Sequence, residues 1–298
     1  MISNNTALRF SGHDTFHCKE QWILKGIHLI DNQINKDVFR KVETISELGV
    51  GKNMVRSIQH WLRAFGLIND DLNSTEFGNL LFLNEQLDPY LEYEGSLWLL
   101  QYFICRSQYA SIFGLIFSNY FSDKATQEFS ESQIFRFISK ELKEKNQKPI
   151  ADKTLEADFK VFIRSYVSPA KNQKTVEDDF NVPLLPLNLI IDTGRLNDKG
   201  QTVYRVNKSN HNVPLEVFVY CLLTEFEGQN AISFDNVRKS IGAYLCLSND
   251  CLDELLSQLP IRFNEFVYKD DAGIRQLQIK ANKAGLKNDI LKKYYELH

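Results

Sequence analysis

A chain of 298 residues with 43% hydrophobic content is long enough to bury two or three small cores, which excludes a disordered polypeptide. Its formal net charge of -3 excludes a uniformly basic protein, so any nucleic-acid contact must come from a local patch. The 5 cysteines, Cys18, Cys105, Cys221, Cys246 and Cys251, form no C-x-x-C pair, which excludes a disulfide framework and a structural zinc site; they are expected to be reduced and mostly buried.

No apolar stretch reaches the roughly 18 to 20 residues of a membrane span. Even the most apolar region, Gly95 to Phe121, is interrupted by Gln101, Arg106 and Gln108. Met1 to Arg9 carries no apolar signal core, so cytoplasmic residence is the expectation.

In chain order, the first element is a compact loop, Phe10 to Cys18, followed by a helical pattern of Trp22, Ile23, Ile27, Leu29 and Ile30. The loop gathers His13, Asp14, Thr15 and His17, residue types that suit a metal ligand, a phosphate contact or a proton shuttle. His13 and Asp14 are therefore the candidate catalytic residues. The alternative is a structural loop in which Ser11 or Asp14 caps the helix before Trp22 and His13 fills a buried hydrogen-bonding role.

Val38 to Leu48 then reads as a short first helix, with Gly49 and Gly51 bracketing a tight turn into a second. At about 100° per residue, Met54, Val55, Ile58, Trp61, Leu62 and Phe65 fall on one side of that second helix. Lys52, Asn53, Arg56, Ser57, Gln59, His60 and Arg63 share the other, and no carboxylate lies between Gly49 and Ile68. A face that approaches phosphates cannot carry acids, so Lys52, Asn53, Arg56, Ser57, His60 and Arg63 are the candidate DNA-binding residues. The alternative is an ordinary amphipathic helix whose polar face meets water. Gly66 to Ile68 and Thr75 to Phe82 are expected as the two strands of a wing, which makes Lys36 to Phe82 a winged-helix candidate. Gly49-Val50-Gly51-Lys52 lacks the G-x-x-x-x-G-K-[ST] spacing and a preceding buried strand, so no nucleotide cofactor is expected.

Charge divides sharply around this element. Lys36 to Arg63 holds six bases against three acids, whereas Gly66 to Cys105 holds seven acids and no Lys or Arg. That block, Asp70, Asp71, Glu76, Glu85, Asp88, Glu92 and Glu94, is expected as a solvated face that repels DNA and orients the molecule.

The aromatic-rich run from Pro89 to Phe121 reads as buried helices, and amphipathic helices follow at Ser130 to Lys145 and Thr154 to Val167. Glu141-Leu142-Lys143 has an acid-x-lysine spacing but falls on a surface helix. Polar turns at Asn146 to Pro149 and Ser168-Pro169 suggest a boundary near Pro169 to Lys174. Beyond Val182 to Ile191, a strand is expected at Val203 to Val206 and a helix at Leu215 to Glu225. A helix opened by Ser233 as N-cap and a further helix at Ser248 to Leu259 come next. Two alternating strands around Asp270 to Gly273 give a hairpin signal. This second winged-helix-like unit carries Asn249, Asp250, Asp253 and Glu254 on its second helix, a poor surface for phosphates, while Lys269, Arg275 and Lys280 on its wing suit a backbone contact. The expected fold is mainly α with small β-wings (α+β): two winged helix-turn-helix-like units joined by a helical middle, with domains at 1–85, 86–170 and 171–298.

The pieces Phe10-Ser-Gly-His-Asp-Thr-Phe16, Trp22 with Lys25-Gly26, Leu48-Gly-Val-Gly-Lys-Asn-Met-Val55 through Trp61, Glu177-Asp-Asp-Phe180 through Pro183, and Leu189-Ile190 together resemble the bacterial DUF4007 family. Asp14 stands where that family more often has glutamate. The resemblance implies a place in anti-phage gene clusters beside sulfur-transfer enzymes, and likeness to the nicking component of a system that installs phosphorothioate in one DNA strand. It implies double-stranded DNA as ligand, sulfur-transfer or ATPase proteins as partners, and Mg²⁺ or Mn²⁺ as cofactor of a nickase. Nicking requires metal-binding carboxylates near a lysine, or a nucleophile set against cations, and no complete nuclease motif is present. The metal ligands therefore stay open. Two other readings remain: a non-catalytic adaptor or specificity subunit for a sulfur-transfer enzyme, and a transcriptional regulator, which lacks support from any effector pocket or dimerisation helix.

Overall fold

A computed structural model describes residues 7–31, 37–121, 126–168, 181–208, 212–271, 273–280 and 285–297. The chain divides into two compact units, residues 2–207 and 208–298.

In the first unit, α1 (Glu20–Asp31) crosses α3 (Lys52–Ala64) at Gly26. A Cβ there would stand 2.6 Å from Ile58 and 2.9 Å from Leu62, so the missing side chain sets how closely the two helices approach. Between them α2 (Glu43–Leu48) ends at Gly49, whose φ of 67° suits glycine and whose N–H donates to Ile45. Lys25 Nζ donates to the Leu48 carbonyl at 3.2 Å and closes the same helix end. Gly51 has φ -70°, a conformation open to any residue, so only the first of the two turn glycines is required by the backbone.

The expected wing of this unit does not form. Ile68 and Ser74 make one isolated antiparallel bridge, and the chain then enters α4 (Glu76–Gly78), which runs on as a π-helical turn, Asn79–Leu83. The reason lies in the sequence: Thr75 Oγ1 accepts from Gly78 N–H at 3.1 Å as an N-cap, and Leu80 to Leu83 are four consecutive buried residues with no strand alternation.

The core is the aromatic middle, as expected. Helices α5 (Glu94–Ser107), α6 (Ser111–Gly114, continuing as a π turn to Tyr120), α7 (Glu131–Glu144) and α8 (Asp152–Arg164) bury Trp98, Tyr102, Phe113, Phe117, Phe162 and Tyr166. Edge-to-face contacts join them, with Phe113 and Phe162 centroids 5.2 Å apart. Ser130 and Gln133 form a capping box at the start of α7.

Strands β1 (Glu128–Phe129), β2 (Ile190–Leu196) and β3 (Thr202–Val206) form an antiparallel sheet in the order β1-β3-β2. Glu128 and Phe129 pair with Arg205 and Tyr204, and this ladder ties residues 190–206 to the first unit rather than to a carboxy-terminal domain. The boundary expected near Pro169 to Lys174 lies outside the described residues.

The second unit comprises α9 (Leu215–Glu225), β4 (Ala231–Ser233), α10 (Phe234–Val237, continuing as a π turn to Gly242), α11 (Asn249–Arg262), β5 (Phe266–Asp271), β6 (Ile274–Ile279) and α12 (Leu286–Glu296). Its sheet runs β4-β6-β5, with the expected hairpin turning at Gly273, φ 83°. Ser233 and Ser248 cap their helices by accepting from Asn236 and Cys251 N–H groups. The whole is a mixed α and β protein dominated by helix. All the cysteines are buried, and among the described residues no helix is long and apolar enough to cross a membrane.

Candidate functional site

The loop before α1 is held in a costly backbone shape. Ser11, Asp14 and Thr15 have φ of 65°, 45° and 66°, and Gly12 has 95°. For a β-branched residue such as Thr15 this region is rarely populated, so surrounding contacts must hold it. Asp158, on α8, supplies them. Ser11 N–H donates to both its carboxylate oxygens, at 3.0 and 2.9 Å, and His13 Nε2 lies 2.5 Å from Oδ1. Thr15 N–H donates to His13 Nδ1 at 3.1 Å, so the imidazole proton belongs on Nε2, aimed at the carboxylate. Both ring nitrogens are engaged and His13 is buried. Through these bonds it pins the loop to α8.

That loop packs on α3. His13 and His60 rings meet edge-on at 5.7 Å, and a Cβ on Gly12 would come within 2.7 Å of His60 Nδ1, a second reason for glycine there. Trp61 Nε1 donates to the Phe16 carbonyl at 3.1 Å. Burial, then the neighbouring His13 and the Arg63 cation, lower the His60 imidazole to a pKa of about 3, so it is neutral near pH 7. Among the described residues, neither His60 Nε2 nor Ser57 Oγ has a hydrogen-bond partner.

The polar face expected of α3 is accordingly narrower than its composition suggests. Lys52, Asn53 and Arg56 are exposed, and Gln59 and Arg63 are half-buried. Ser57 and His60 are buried, a correction with a simple cause: Lys52, Arg56, Gln59 and Arg63 follow i, i+4, i+7, i+11 along one stripe, Ser57 and His60 lie off it, and the loop packs on His60. Arg56 donates to Asn53 Oδ1 at 2.7 Å, and its Nε stands 3.0 Å from Asp14 Oδ2 without the alignment of a hydrogen bond. Arg63 donates to the Tyr109 hydroxyl at 3.2 Å and to the Asp70 carbonyl at 2.9 Å.

The acidic block is less uniform than expected. Six of its members are exposed, but Asp88 is buried and accepts from Glu92 N–H, Tyr93 N–H and the Ser96 hydroxyl, closing the turn that leads into α5. Glu141 and Lys143 flank buried Leu142, with Glu141 accepting from Asn119 at 3.4 Å.

The family profile described as "Protein of unknown function (DUF4007)" matches residues 10–295. The chain belongs to the DUF4007 family. Among curated proteins no match is found. Two solved structures share its fold. A magnesium ion-bound SspB crystal structure has TM-score 0.79 and 23% identity, covering 96% of this chain and 88% of that one. An SspB crystal structure has TM-score 0.81 and 22% identity, covering 99% and 90%.

The loop of this DUF4007 chain, as placed, does not fit Mg²⁺ or Mn²⁺. Hard cations take several carboxylate or carbonyl oxygens. Both oxygens of Asp158 already accept from Ser11, one of them also faces His13, and the Asp14 carboxylate faces Arg56. Among the described residues no three His, Cys, Asp or Glu side chains converge on a metal position.

Asp158 is the residue that the sequence reading missed. Its signal was available: it shares a helical stripe with Leu155 and Phe162, and a carboxylate on an apolar stripe implies a buried partner elsewhere.

In the second unit one of the three corresponding cations, Arg275, is committed. Arg275 donates to Asp253 Oδ1 at 3.1 Å and lies 3.6 Å from the Phe234 ring centre. Tyr268 donates to the same oxygen at 2.6 Å. Arg275 is therefore not the free wing cation expected, whereas Lys269 and Lys280 are exposed.

Proposed function

We propose that this DUF4007 protein binds duplex DNA through α3, as a component of a phosphorothioate-type DNA modification and defence system. The observation that carries the reading is the stripe of exposed Lys52 and Arg56 and half-buried Arg63, with exposed Asn53 beside it and no carboxylate of its own between Gly49 and Ile68. From Lys52 to Arg63 the stripe spans about 16 Å at 1.5 Å per residue, roughly five base-pair steps. Ser57 and His60 support the helix from behind. Membership of DUF4007 and the fold shared with SspB favour the same system, in which sulfur-transfer or ATPase proteins are the expected partners.

Whether the protein also nicks is the finer question. Engagement of both His13 nitrogens and of Asp158 favours a second reading, an adaptor that guides a sulfur-transfer enzyme to DNA. One gel tests both: purified protein is incubated with supercoiled plasmid and Mg²⁺ or Mn²⁺, with EDTA as control. A shift lost in Lys52→Ala/Arg56→Ala supports binding through α3, and an unchanged shift in that folded variant sinks it. Metal-dependent conversion to open circles establishes a nickase. If Asp14→Ala removes nicking but keeps binding, the loop takes part; nicking at the wild-type rate removes Asp14 from the chemistry.

A further inference from the structure

Two guanidinium groups share one aromatic ring beside the α3 stripe. Arg9 lies 4.9 Å and Arg63 5.8 Å from the Tyr109 ring centre, close enough for cation–π attraction to hold both. Arg63 has a hydroxyl and a carbonyl as hydrogen-bond acceptors, neither of which cancels its charge. The anion facing Arg9 is Asp70, 4.0 Å away, with side chains 54% and 80% exposed. Such an exposed pair is weak and readily exchanged for another anion.

The arrangement is also firmly mounted. Arg9 N–H donates to Ser111 Oγ at 2.8 Å, and its carbonyl accepts from Ser111 N–H at 3.1 Å. Ser107 Oγ donates to the Ala64 carbonyl at 2.7 Å, which fixes the end of α5 against the end of α3. Two cations are thus displayed side by side on rigid backbone, with a displaceable carboxylate where a phosphate oxygen would sit.

We propose that Arg9, Arg63 and Tyr109 form a phosphodiester-binding site that extends the α3 face onto the amino-terminal segment and the turn before α6. The site rests on the reading of α3 as a duplex-binding helix. Tyr109 orients both guanidinium groups, Arg9 and Arg63 contact the DNA backbone, and Asp70 gives way when the phosphate arrives.

The test measures affinity of the full chain for a short blunt duplex across a salt series. In Arg9→Ala the slope of log K against log salt falls by about 0.9, one phosphate contact, and Arg9→Lys restores it. Asp70→Asn tightens binding several-fold at low salt, because a competing charge is removed. An Arg9→Ala slope equal to wild type, while Lys52→Ala/Arg56→Ala lowers it, overturns this site and leaves the α3 reading standing. Asp70→Asn that weakens binding also overturns the site. A wild-type chain that binds no duplex even at low salt overturns both.

Discussion

Helices α3 and α11 each follow a short helix and a turn, yet they present opposite surfaces. Along α3 the exposed stripe is cationic, and the acids near it, Asp14 and Asp70, come from other segments at the surface. On α11, Asp250, Asp253 and Glu254 sit on the helix itself, and the cations around it are spent internally: Arg275 on Asp253, Arg262 on Glu216 at 3.2 Å, and Arg238 and Lys239 on Asp235 at 2.6 and 2.7 Å. A helix pair is a scaffold, and what it can bind depends on which charges the surrounding chain leaves uncommitted.

The comparison breaks most visibly at the support behind α3. Asp158→Ala leaves the Ser11 N–H and the His13 Nε2–H without their acceptor, and it should destabilise the first unit by about 3–5 kcal/mol, the usual cost of removing one partner of a buried polar pair. Urea unfolding with probes in each unit checks this; a transition of the first unit that does not move would show that the loop is held by other contacts.

Next in size, Lys52→Ala/Arg56→Ala should weaken duplex binding about 100-fold at low salt through loss of phosphate contacts. Fluorescence anisotropy reads it directly, and a change under threefold in a folded variant would mean that α3 is not the DNA face.

Acid sharpens the contrast further. With a folded pKa of about 3 against 6.5 in an unfolded chain, His60 takes up a proton only on unfolding. Its stabilising contribution is complete above about pH 6.5 and falls by about 1.4 kcal/mol per pH unit as pH drops toward 3. The described part of the second unit contains no histidine. His60→Phe should therefore flatten the acid limb of the first unit's stability curve and leave that of residues 208–298 alone; equal limbs in wild type and variant would refute the assignment.

The smallest effect is expected on the other helix pair. Lys269→Ala should change duplex affinity by less than about twofold, since the neighbouring acids of α11 already repel phosphates. A tenfold loss would move part of the DNA face to the second unit.

Much of the fold was legible because helix signals are local. Ser233 announced a helix start, apolar spacing announced the helices that begin at Ser130 and Ser248, and the Phe266 to Ile279 alternation around Gly273 announced a hairpin. The missing wing shows the limit: Thr75 to Phe82 read as strand beside a presumed winged helix, whereas Thr75 is a helix cap. The candidate site was half legible. His13 and Asp14 stood out as a polar cluster, but what His13 does depends on Asp158, 145 residues away.

By itself, the sequence determined the helical periods, the caps, the glycine at the end of α2, the aromatic core and the absence of acids along α3, because each follows from residues within a few positions of one another. Tertiary structure alone decided which of those polar residues reach solvent. Ser57 and His60 belong to the polar half of α3 by spacing, but both are buried, His60 under the loop pinned by Asp158, while Arg9 and Tyr109 join Arg63 from segments that no local pattern connects. Burial and charge pairing are sums over the whole neighbourhood of a side chain, and that neighbourhood exists only after folding.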